Sequence, residues 1–195
     1  MKKSLFLIIL AFAVTALQAQ FGVKGGVNSA NWAGDDVDED GKKSLIGPHF
    51  GIFYNAKLTE MFSIQPDLVY SAQGVKYEVL GVEVKAATSY INLTGLVRLN
   101  TSSGFFVGLG PQIGFLMSAK AKTEGADDED FKDDMKGTDF AAALAAGFEL
   151  ESGFGFYARY NHGLSTIAED DSKAYNRVFQ VGLRYALEKK RENSK

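Results

Sequence analysis

Between Phe105 and Met117 every second residue is large and apolar: Phe105, Val107, Leu109, Pro111, Ile113, Phe115 and Met117. Most residues between them are small or polar, namely Gly108, Gly110, Gln112 and Gly114, with Ser118 just beyond. Strict period-two alternation marks a strand whose two faces meet different surroundings. The run is longer than the usual strand of about five or six residues. Ten steps from Phe105 to Phe115 span roughly 33 Å at ~3.3 Å per residue. Tilted by about 45°, that length projects to roughly 24 Å, close to the ~25 Å apolar band of an outer-membrane barrel. A chain carrying this segment is expected to cross a membrane as strands.

Seven further segments alternate between turn signals. They are Phe21 to about Trp32, His49 to Leu58, Phe62 to about Gly74, and about Val82 to Leu99 before the central run. After it come Phe140 to Leu150, Phe154 to Leu164, and Arg177 to Leu187. The links at Thr59-Glu60-Met61, Asn100 to Gly104 and Glu151-Ser152-Gly153 are short, whereas those near 33–48, 120–139 and 165–176 are long. The link at Leu80-Gly81 is shorter and reads as the tip of an extended hairpin. Short turns on one side and long loops on the other suit a transmembrane barrel with an even strand count and both termini periplasmic.

Alternation alone also fits a soluble sandwich or a lipocalin-like barrel. The second face separates the readings. It carries Gly108, Gly110, Gly114, Ala141, Ala143 and Ala145, where a water-facing surface would carry Lys, Glu and Thr. Small residues suit the crowded inside of a narrow barrel. Arg98, Glu149, Arg159 and Arg184 share that face and are expected to pair internally, holding the barrel shut against free diffusion. Pro66 and Pro111 fall inside expected strands, so a bulge or a missing ladder bond is expected at each. Tyr70, Tyr77, Tyr90, Phe115, Phe140 and Tyr160 are read as one aromatic rim, and Phe62, Phe105, Phe154 and Tyr185 as the other.

The N-terminus has a leader's form. Lys2 and Lys3 precede an apolar run from Leu5 to Leu17, and Ala19 offers a cleavage point. The fold class expected is therefore all-β, an eight-stranded antiparallel up-and-down transmembrane β-barrel after a cleavable signal peptide. The division expected is 1–19 signal peptide, 20–188 barrel and 189–195 a short basic tail. The chain has no Cys, which excludes disulfides and a lipid-modified N-terminal Cys. It has no clustered basic face, so no nucleic-acid partner is expected.

Sixteen of the 24 acidic residues lie in three long loops. Asp36-Val-Asp38-Glu-Asp40-Gly41 copies the opening half of a calcium loop, but its twelfth position is Gly47 where a bidentate Glu is needed. The acids are read as a solvated crown extended by self-repulsion, with divalent cations near lipopolysaccharide or a basic partner as the sharper alternative. His49 and His162, the only histidines, are placed near the outer rim. A triad of His162, Ser165 and Asp170 or Asp171 can be drawn, but no nucleophile motif supports it. No catalytic, cofactor-binding or metal-binding residue is assigned, and no enzyme activity is expected.

Four stretches carry a family resemblance: Phe62-Ser-Ile-Gln-Pro-Asp-Leu-Val-Tyr-Ser71, Phe106-Val-Gly-Leu-Gly-Pro-Gln-Ile-Gly-Phe-Leu116, Ala146-Gly-Phe-Glu-Leu150 and Ala158-Arg-Tyr-Asn-His-Gly-Leu164. In order and spacing the chain resembles the PorT-like outer-membrane β-barrel proteins of Bacteroidetes. The resemblance implies a barrel similar to the transmembrane domain of OmpA, and little biochemistry. The secretion and gliding role of the name-giving member is not carried over. Such barrels often end on an aromatic residue read by the insertion machinery, whereas here Tyr185-Ala-Leu187 is followed by a charged tail to Lys195. The function expected is a structural or surface-interaction role for a monomer surrounded by outer-membrane lipid and lipopolysaccharide. Its termini are expected to be periplasmic and its acidic loops extracellular. An accessory component of a secretion assembly and a soluble periplasmic ligand-binding barrel are the alternatives.

Overall fold

The computed structural model describes residues 19–38, 40–79, 82–123, 127–170 and 172–187. The expected leader up to residue 18, the tail 189–195 and the hairpin tip at Leu80-Gly81 lie outside them. Nine strands follow in order: β1 Ala19–Ala33, β2 Lys42–Lys57, β3 Phe62–Val79, β4 Val82–Asn100, β5 Phe105–Thr123, β6 Glu129–Asp130, β7 Thr138–Glu149, β8 Phe154–Gly163 and β9 Tyr175–Leu187. All pairings are antiparallel; they join chain neighbours except where β1 pairs with β9 and where β5 pairs with β7 past the two-residue β6, which only flanks β5. β1 bonds both β2 and β9, and β5 bonds both β4 and β7, so eight strands close into a ring.

The wall has an inverted burial pattern. Phe21, Ile52, Leu68, Val97, Leu109, Leu144, Phe156 and Leu183 stand exposed on the outside. Lys24, Asn28, Gln65, Asp67, Asn92, Thr94, Arg98, Arg159, Gln180 and Arg184 are buried inside. A water-soluble fold would bury the first set, because each large apolar side chain gains about 1.5–3 kcal/mol on leaving water. The arrangement holds where the outer solvent is hydrocarbon and closure satisfies every strand edge.

Several strands outrun their expected limits. β2 begins at Lys42, inside the expected 33–48 loop, because Lys42, Lys43 and Ser44 pair with Tyr77, Lys76 and Val75. β5 runs on to Thr123, paired with Val84 on β4. The β2 extension does not alternate cleanly, so cross-strand pairing sets its length, whereas the β5 extension keeps the alternation through Ala119, Lys120, Ala121 and Lys122. β2 to β5 thus form a taller wall than β7 to β9.

Pro66 and Pro111 produce ladder gaps without bulges, whereas Pro48 lies in the stretch between Ser44 and His49 where the β2–β3 register shifts. The β2–β3 ladder stops at Phe53↔Asp67 and resumes in the same register at Ala56↔Ile64, skipping Pro66. The β4–β5 ladder skips Pro111 likewise, between Thr94↔Gln112 and Val97↔Leu109. Each gap lies where proline offers no N–H. The register shift in β4–β5 falls instead between Ser89 and Tyr90, where Met117 is the extra residue on β5.

The aromatic rims hold with two corrections. Phe115, Phe140 and Tyr160 at one end and Phe62, Phe105 and Phe154 at the other face outward, and Tyr70 and Tyr185 lie partly covered among them. Tyr90 is fully buried, and Tyr77 lines a cavity inside the loops. Both share the phase of inward neighbours, Asn92 and Thr94 for Tyr90 and Gln73 and Val75 for Tyr77. Strand phase prevails over residue type.

Candidate functional site

From the short-turn end upward the interior is layered. In the lowest layer the Glu149 carboxylate receives Arg98 at 3.2 Å and Arg184 at 2.9 Å. Gln65 Oε1 accepts from the same two guanidiniums at 2.7 and 2.9 Å. Arg98 stacks on the Phe106 ring at 3.7 Å, and Arg184 on Phe53 at 3.9 Å. One layer higher, Asp67 is shared by Lys24 at 2.9 Å and by Arg159, whose Nη1 lies 3.2 Å from Oδ1. Sequence reasoning found the four lower and middle partners Arg98, Glu149, Arg159 and Arg184 but did not bring Lys24 or Asp67 into the network. Asp67 sits on the inward phase of β3 beside Gln65, and that phase was the signal for it.

His49 is also inside, contrary to its expected place at the rim. It is 1 % exposed and its Nε2 lies 2.6 Å from the Tyr157 hydroxyl on the far wall. The phase of Phe53 and Asn55 on β2 turns it inward. Above it Gln180 donates to Asn28 at 2.8 Å, and Asn28 donates to Ser71 at 2.8 Å. Higher still, Asp139 accepts from Asn176 at 2.9 Å and from Ser165 at 3.3 Å.

The drawn triad is not assembled among the described residues. His162 stands exposed with its ring against Tyr160, Ser165 bonds Asp139 and the Phe140 amide, and Asp170 bonds Ser172. Asp171 lies outside the described residues. No three His, Cys, Asp or Glu side chains converge as a metal would require among the described residues. Asp36 instead accepts the Lys173 backbone amide at 2.7 Å, and Asp38 that of Asp40 at 2.9 Å.

Over the polar layers lies an apolar plug of Tyr90, Leu116, Ala119, Met135 and Ile167, packed by Trp32, Phe131 and Ala174. The plug belongs to the loops as much as to the barrel. Met135 bridges Ala168, the Lys136 amide donates to Ile167 O at 2.8 Å, and the Glu169 amide to Asp134 O at 3.0 Å. The 33–41 loop joins through Lys173, whose ammonium meets Asp35 at 3.1 Å. Acid self-repulsion was expected to spread these loops, but backbone hydrogen bonds and buried apolar contacts lace them together.

The laced loops leave a cup of about 420 Å³. Trp32, Tyr77, Phe131, Met135 and Ile167 supply its apolar lining, and Asp36, Asp38, Asp134 and Asp170 its acids. The volume lies within the usual range of ~300–1,000 Å³ for small ligand sites. The Ser172 hydroxyl and backbone amide hold the Asp170 carboxyl below the usual carboxylate range.

An eight-stranded ring with an apolar outside and a polar, filled inside defines a class, the small outer-membrane β-barrels. The chain belongs to the outer membrane protein beta-barrel domain family, whose model matches residues 4–186. That membership places it in the outer membrane. Ail, the attachment invasion locus protein of Yersinia pestis, is similar in fold at 17% identity and a TM-score of 0.52, with 86% of this chain and 98% of that one covered. Neisserial surface protein A is similar at 14% identity and a TM-score of 0.52, covering 86% and 97%. No curated protein matches the sequence.

Proposed function

We propose that this chain is a non-catalytic surface-interaction protein whose barrel is a scaffold and whose working part is the laced long-loop end. The observation that carries the reading is the contrast between the two halves. Below the plug, side chains from opposite walls bond one another across the lumen. Above it, three loops build an open cup. The long-loop end faces outward and both termini lie in the periplasm, as the pairing of Phe21 with Leu187 at the short-turn end supports. The quoted motifs support a place in the PorT-like branch of Bacteroidetes. Each of the eight ring strands is paired on both sides, which supports a monomer surrounded by lipid and lipopolysaccharide. Tyr185, set against Phe154 on the outer wall, supports an internal signal for the insertion machinery.

Protease treatment of intact cells tests the reading. Cleavage within 33–41 or 127–136, with a barrel that still migrates as the compact form before heating, is the expected result. Loops resistant in intact cells but cut in lysed ones would reverse the orientation. Ohmic conductance of nanosiemens size in planar bilayers would overturn the filled interior.

A further inference from the structure

The cup combines two features that few single ligands satisfy together. Four carboxylates, those of Asp36, Asp38, Asp134 and Asp170, stand around it, and among the described residues no lysine or arginine lines it. Among the described residues none of these four makes an ion pair within 4 Å, and the nearby Lys173 ammonium is taken by Asp35. The lining beneath is aromatic and aliphatic. A metal ion would satisfy the acids and waste the lining, and the acids are not grouped to ligate one. A sulfated or phosphorylated sugar would meet charge of its own sign. A neutral acyl chain would give the acids no counter-charge beyond the nearby Lys136 and Lys173.

Trp32 adds a third demand. Its Nε1 is buried and has no acceptor among the described residues, although the indole lines the cup. A buried donor without a partner costs about 1–3 kcal/mol. A ligand bringing a carbonyl oxygen would remove that cost, after a small shift of the ring.

Resting on the surface-interaction reading, we infer that the cup binds a basic peptide segment. An apolar side chain of that segment enters between Trp32, Phe131 and Ile167, while flanking lysine or arginine side chains meet Asp36, Asp38, Asp134 and Asp170. The aromatic lining adds cation–π attraction to the same charges. Backbone carbonyls of the segment supply the acceptor that Trp32 lacks. The cup's volume of about 420 Å³ limits the anchor to one or two side chains, so the segment is short or a protruding loop of a larger basic protein.

Trp32 is the only tryptophan of the chain and therefore reports on the cup alone. The refolded full-length barrel in zwitterionic nanodiscs is titrated with acetyl-Lys-Leu-Lys-amide while Trp32 emission is followed. A saturable change is expected, weakened about tenfold when Gly replaces Leu in the peptide, and absent with acetyl-Glu-Leu-Glu-amide. Raising the salt weakens the binding. The double variant Asp134→Asn, Asp170→Asn, with unchanged heat-shifted mobility, loses most of the response. Equal responses to the Lys and Glu peptides, a response to calcium alone, or no saturable change would each overturn the peptide assignment. The protease experiment stands apart from this one. Surface-exposed loops with a silent Trp32 reject only the ligand, and loops buried from the outside reject the surface reading.

Discussion

Asp67 joins Lys24 on β1 to Arg159 on β8, at a point where neither cation reaches water. Removing one partner of a buried pair costs about 3–5 kcal/mol, because the other charge is left without compensation. Asp67→Ala strands two charges at once, so destabilisation at the top of that range is expected, read from urea unfolding of the barrel in lipid vesicles. Lys24→Met leaves the Asp67–Arg159 pair intact and costs clearly less in the same measurement. A larger loss for Lys24→Met than for Asp67→Ala would show that Asp67 is not the hub. At Gly26, a Cβ would sit 2.0 Å from the Val181 carbonyl oxygen across the β1–β9 seam. Gly26→Val therefore forces apart the seam that closes the ring, and loss of the compact, heat-modifiable band is expected.

Among the elements, the loop contact between Asp170 and Ser172 depends on charge. Asp170 accepts the Ser172 hydroxyl and amide, which lowers its carboxyl affinity for protons. A carboxylate depressed in the folded state contributes stability that is present above its unfolded pKa. That stability is lost as the pH falls through the folded value. The protection factor of the Ser172 amide, its exchange rate relative to the intrinsic rate at the same pH, is therefore expected to fall on acidification below the ordinary carboxylate range. It stays constant from neutral pH upward. A protection factor that fell between neutral and alkaline pH would contradict the assignment. The strands behave differently, since their period-two pattern is local. Val97, Leu99, Phe105, Val107 and Leu109 can be placed outside from sequence because Cβ direction alternates whatever the fold around it. The same phase would have placed Tyr90 and His49 inside. Tyr90 is instead placed at the rim by its residue type, and His49 by its position at the start of the expected segment His49–Leu58, which the structure extends back to Lys42.

At the scale of the molecule, the barrel is a filled cylinder with an outer surface for hydrocarbon and one elaborated end. Transfer from vesicles to detergent-free buffer is expected to aggregate the protein, because Leu109, Leu183 and Leu164 stay more than half exposed with nothing in the fold to cover them. Recovery of a monodisperse soluble form would support the periplasmic alternative. The ring, its strand count and the inward position of Arg98, Glu149, Arg159 and Arg184 were legible from the residues, since each follows from alternation plus turn spacing. The pairing of Glu149 with both Arg98 and Arg184 was not. Nor was the meeting of Met135 with Ala168 or of Asp36 with Lys173. Which face a side chain takes is settled by its immediate neighbours along the strand, and the sequence contains those neighbours. Which side chain it meets across the lumen depends on the stagger at which eight strands close, and which loops meet depends on where closure leaves their ends. Contacts that join residues more than a hundred positions apart, such as His49 with Tyr157, exist only once the ring is shut.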